Sequence, residues 1–124
     1  MSIYTIQGQD VEFDPFDVEA YERYESQLEQ MRKIKEEIPT GSAAAGMRFL
    51  CHAVMDFFDD VAGEGTAQHL FGERMNLKDC FDAFYAFTEA VSGEIKGYTE
   101  TTSLPIDAAP AGNRAQRRAA ERKK

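Results

Sequence analysis

The sequence predicts a mainly α-helical single domain: a short N-terminal β-hairpin, then a bundle of three main helices and one short helix, then a disordered C-terminal tail. Three observations carry that reading. Apolar residues recur every three or four positions from Tyr21 to Tyr98, the period of a helix face. Only the first thirteen residues show the two-residue alternation of strands. The length, 124 residues, is that of one domain and leaves no room for a second catalytic one.

Ile3–Ile6 and Val11–Phe13 flank Gln7, Gly8, Gln9 and Asp10, a hairpin pattern. Two strands alone are marginal in water, so this ribbon must rest on helices or on another subunit. The first helix is expected to open at Asp14-Pro15-Phe16-Asp17, with Asp14 as cap, Pro15 in the first turn, Asp17 at the capping-box position, and Phe13 and Val18 as a staple. Tyr21, Tyr24, Leu28, Met31 and Ile38 continue it with Ile34 beside the seam, until Pro39-Thr40-Gly41 stops it. About 24 residues give a helix of roughly 36 Å. Its apolar stripe is narrow and its flanks are charged, a pattern suited to coiled-coil-like packing. Tyr21, Tyr24, Leu28 and Met31 are therefore the candidate partner-binding residues.

The second helix starts near Ser42 and ends at Gly63, with Met47, Leu50, Cys51, Val54, Phe57, Phe58 and Val61 on one apolar face and Arg48, His52, Asp56, Asp59 and Asp60 opposite. Gly63-Glu64-Gly65-Thr66 punctuates the chain, and Thr66–Phe71 is long enough for a turn or two. Asn76 caps the last helix, whose buried stripe is Leu77, Cys80, Phe81, Phe84, Phe87, Val91, Ile95 and Tyr98. Beyond Tyr98 the period disappears, which sets the domain at residues 1–98 and a flexible linker with a basic tail at 99–124.

Charge divides the chain. The net charge is −8, but residues 1–112 carry −13 and residues 113–124 carry +5. Such a body does not bind nucleic acid by counterion release. No apolar run approaches the roughly 18 residues of a membrane span, and the N-terminus lacks the features of a secretory signal. The expectation is a cytosolic protein in which Cys51 and Cys80 are reduced core residues, not a disulfide or a nucleophile.

His52, Asp56, Asp59 and Asp60, with His69, form the one constellation of enzymatic character, since His52 and Asp56 stand a turn apart and can bridge a hydrated divalent ion. The same residues lie where a helix is wet, and no second helix offers matching ligands, so no metal, no cofactor and no catalytic residue is assigned. Gly63-Glu64-Gly65 is not a phosphate cradle: no strand precedes it, no Lys follows, and Glu64 repels anions. The aromatic residues at helical spacing are read as core.

The string Asp56-Phe57-Phe58-Asp59-Asp60-Val61-Ala62-Gly63-Glu64-Gly65-Thr66, followed by Leu70-Phe71-Gly72, Asn76-Leu77 and Cys80, resembles a small tail-module family of Gram-positive phages and prophages, similar to tail assembly chaperones. The ending Asn113-Arg114-Ala115-Gln116-Arg117-Arg118-Ala119 resembles the tail of many members, and the N-terminal hairpin also fits. The resemblance implies a non-enzymatic chaperone that binds the tape measure protein and helps recruit tail tube subunits. It would act in the host cytoplasm and be absent from the mature virion. Homo-oligomerisation is compatible with it; membrane and nucleic-acid partners are not expected. An acidic regulatory adaptor, or an inhibitor that imitates nucleic acid toward a host protein, is the alternative. Metal-dependent hydrolysis at His52 and Asp56 is a third.

Overall fold

The computed structural model describes residues 2–105, so the basic tail and the second half of the expected linker lie outside the described residues. The element order is β1 (Ser2–Ile6), β2 (Gln9–Phe13), α1 (Val18–Lys33), a 3-10 turn (Ile34–Glu36), α2 (Ala43–Ala62), α3 (Thr66–Phe71) and α4 (Leu77–Thr102). None of the described helices is long and apolar enough to cross a membrane.

The strands are antiparallel, with Tyr4 opposite Val11 and Ile6 opposite Gln9. Only Gln7 and Gly8 form the turn, a tighter loop than the four residues the pattern suggests. Both have positive φ, 53° and 77°, which a two-residue type I′ turn requires at its central positions. Alternation then sends Tyr4, Ile6, Val11 and Phe13 to one face, and all four are buried. The ribbon rests on α4, α2 and α3 of its own chain. Its far end is tied by Tyr4 and Ser2, whose hydroxyls both donate to the Glu94 carboxylate, the Tyr4 bond at 2.6 Å.

The first helix begins later than expected. Asp17, not Asp14, is the N-cap, its carboxylate accepting from the Ala20 N–H at 2.9 Å. Asp14 instead closes the preceding turn, accepting from the Phe16 N–H at 3.1 Å. This moves the staple: Phe16 and Tyr21 now stand at the positions that pack together, while Val18 is 71% exposed and does not staple Phe13. The α-helix is 16 residues long and tightens into the 3-10 turn before Pro39. Ser42, Gly63 and Asn76 act as their residue types suggest: Ser42 and Asn76 accept from the N–H three residues on, at 3.3 and 2.9 Å, and Gly63, at φ +111°, ends α2.

Ring contacts fix how the helices lie. Phe57 meets Phe84 and Phe58 meets Phe87, while Arg48 reaches Met75, so residue numbers rise together and α2 and α4 run in the same direction. The segment holding α3 returns the chain between them. Tyr24 meets Phe57 and Phe87, and Phe16 meets Tyr98, so α1 runs opposite to both. Phe87 is the centre, fully buried, with the rings of Tyr4, Phe13, Tyr24, Phe57 and Phe58 at 5.5–6.1 Å in edge-to-face arrangements.

The periodicity ends α4 at Tyr98, yet the helix continues to Thr102. Thr99 continues the buried stripe there: it is buried, and its hydroxyl donates to the Lys96 carbonyl at 3.0 Å. Thr88 does the same toward Tyr85, at 3.1 Å. A threonine so satisfied extends an apolar stripe without looking apolar. Conversely Met47 and Tyr98, assigned to buried stripes by spacing, are both 51% exposed.

Candidate functional site

The narrow seam of α1 is spent inside the molecule. Tyr24 is buried among Phe13, Phe57 and Phe87, and Tyr21, Leu28 and Met31 are partly buried against the same core. Tyr24 is thus closed to a partner of the folded chain, and Leu28 and Met31 offer only their outer edges. The physical reason is that the period of a seam identifies which face is covered; α2, together with the Phe13 and Phe87 rings of the same chain, does the covering.

Among the described residues, a furrow lies on either side of α1. The first, between α1 and α2, has a volume of about 400 Å³. Gln27, Gln30 and Met31 line it from α1, and His52, Asp56 and Asp60 from α2. The sequence constellation is therefore partly assembled and partly divided. His52, Asp56 and Asp60 share this furrow, all exposed. Asp59 turns away and accepts the Ala67 N–H at 2.9 Å, holding the first turn of α3 onto the end of α2. His69 lies exposed on α3 and does not line the furrow. Among the described residues, no group of three or more His, Cys, Asp or Glu is placed to hold a metal ion.

The second furrow, between α1 and α4, has a volume of about 390 Å³ and an apolar floor. Phe16, Val18 and Tyr21 enter from the start of α1, Ile95 and Tyr98 from the end of α4, and Glu22 and Glu25 are also part of its wall. The Phe16 and Tyr98 rings meet at 5.0 Å and 61°. Even so they are 45% and 51% exposed. Neither Glu22 nor Glu25 stands in an ion pair among the described residues. Spacing alone does not single out this surface, because a cap at Asp14 places Phe16 and Val18 inside the first turns of the helix. The available signal was the pair Phe16 and Tyr21, five apart around an alternative cap at Asp17.

Cys51 and Cys80, 29 positions apart in sequence, are neighbours in the core. Burial, reinforced by a hydrogen bond with Cys51, pushes the Cys80 thiol up to about 12. A thiol held protonated and sealed from solvent is not a nucleophile at neutral pH. Burial likewise pushes the Tyr24 phenol far above its ordinary value, and that hydroxyl has no hydrogen-bond partner among the described residues. Tyr4 is also raised, by burial first and by its bond to Glu94 second.

No curated protein matches this sequence, and no solved structure does. A sequence family does match, over residues 7–121, nearly the whole chain. The chain belongs to that family, a family of unknown function designated DUF6673.

Proposed function

We propose that the protein is a non-enzymatic tail assembly chaperone of a tailed phage or prophage, which holds segments of the tape measure protein and aids recruitment of tail tube subunits. The observation that carries the reading is the apolar furrow between α1 and α4, left open on a body of charge −13. An amphipathic helix can lay its apolar face into such a groove, and the acidic surround keeps the complex soluble. The furrow replaces the α1 seam as the contact surface.

Co-expression with the tape measure protein of the same phage, followed by size-exclusion chromatography, tests the proposal. The two chains are expected to co-elute, and Val18→Glu, at an exposed position on the furrow, is expected to separate them while leaving the helical circular dichroism unchanged. Separate elution of the wild-type chains overturns the reading, and so does a complex that survives Val18→Glu.

A further inference from the structure

The furrow between α1 and α4 combines two features that suit one chemical group. It shows ring surface to water at Phe16 and Tyr98, and it holds the Glu22 and Glu25 carboxylates without ion pairs among the described residues. A guanidinium is planar, weakly hydrated, able to stack on rings and able to bond a carboxylate through two N–H groups. The chain carries a matching segment of its own: residues 113–124 include Arg114, Arg117, Arg118 and Arg122.

Geometry brings the two within reach. Thr99 lines the furrow only three residues before the end of α4. Ser103 then adopts the left-handed conformation, φ 61°, and the Leu104 N–H donates to the Thr99 carbonyl at 3.0 Å. That six-to-one bond reverses the chain over the last turn of the helix. The nine residue-to-residue steps from Pro105 to Arg114 extend to at most about 30 Å. Tethering sets an effective concentration on the order of millimolar, so ring and carboxylate contacts that are weak between separate molecules are populated within one.

From this we infer that the arginine-rich segment 113–124 docks into the furrow between α1 and α4 of its own chain, with guanidinium groups on the Phe16 and Tyr98 rings and against Glu22 and Glu25. The inference rests on reading that furrow as a binding surface. It makes the segment a resident occupant that any client must displace.

Paramagnetic relaxation enhancement on the full chain tests this without a client, so its failure is separate from failure of the chaperone reading. A nitroxide is placed at Ala119→Cys, Cys51 and Cys80 being buried. Amide signals of Phe16, Val18, Glu22 and Tyr98 are expected to lose at least half their intensity in 20 mM salt, relative to those of Ala43–Ala45. The loss should vanish in 500 mM salt and in the Glu22→Lys/Glu25→Lys variant, whose amide dispersion reports that the fold is kept. Replacing the four arginines by lysine keeps the charge and should weaken the effect at least twofold. Uniform broadening, persistence in the charge-reversed variant, or an undiminished effect in the lysine variant overturns the inference. So does equal broadening of an isotope-labelled chain by a separate spin-labelled one, which would assign the contact to a second copy.

Discussion

The two furrows beside α1 have nearly the same volume, about 390 and 400 Å³, but one lining is mainly apolar and the other is an even mixture of polar and apolar side chains. On the α2 side, Gln27, Gln30, His52, Asp56 and Asp60 are interspersed with Met31, Ile34 and Phe49, so a partner that covers the apolar atoms must also displace water from polar side chains. On the α4 side, ring and aliphatic surface is already exposed, and covering it is favourable at about 25 cal/mol per Å². The contrast arises from one helix with a narrow seam. Its seam is used up against the core, so both flanks become furrows, and the side chains donated by the neighbouring helix decide which flank is adhesive.

The largest effect is expected from removing the buried ring on which α1 rests. Phe87 supports Tyr24 from beneath and touches five rings, so Phe87→Ala should destabilise the fold by about 3–5 kcal/mol in urea denaturation and blur both furrows together. A loss below 1 kcal/mol would mean that the two sides are not joined through this ring.

A smaller effect comes from the two tyrosines packed on that ring. Tyr4 and Tyr24 both have their pKa raised in the folded state, so above about pH 10 the unfolded chain loses protons that the folded chain retains. Their contribution is intact below that pH and fades above it, by about 1.4 kcal/mol per pH unit for each group. Tyr24→Phe loses no hydrogen bond, so at pH 7 its stability should equal or exceed that of the wild type, and the alkaline slope should fall by the share of one tyrosine. Denaturation curves at pH 7 and between pH 10 and 11 read both quantities. A destabilised Tyr24→Phe at neutral pH would reveal a partner for that hydroxyl.

The smallest effect is expected in the polar furrow. The His52→Ala/Asp56→Ala double variant changes two exposed side chains, and its stability should stay within about 0.5 kcal/mol of the wild type. A melting temperature that rises with a divalent metal in the wild type, and not in the variant, would turn this furrow into a metal site and reverse the functional ranking of the two sides.

What could be read from the sequence follows the same division. Caps and stripes were legible wherever local chemistry decides: the Gly8 turn, the Ser42 and Asn76 caps, the Gly63 stop, and Cys80, Phe84, Phe87, Val91 and Ile95 facing inward. The start of α1 was not, because Asp14 and Asp17 are both competent caps and the choice depends on tertiary packing of the chain between Phe13 and Tyr21. The role of the seam was not either, since helical period is blind to whether the covering surface belongs to the same chain. Asp59 and Asp60 differ by one position, and only the location of α3 separates a structural acceptor from a hydrated carboxylate.

The bond from Tyr4 to Glu94 joins residues 90 positions apart. During synthesis at about 5–20 residues per second, Tyr4 is made roughly 5–18 s before Glu94. An isolated two-stranded ribbon is marginal over that interval. Folding to completion is therefore a late event, triggered by the emergence of α4, and until then Tyr4, Ile6, Val11 and Phe13 are apolar cargo that the nascent chain itself must keep from aggregating.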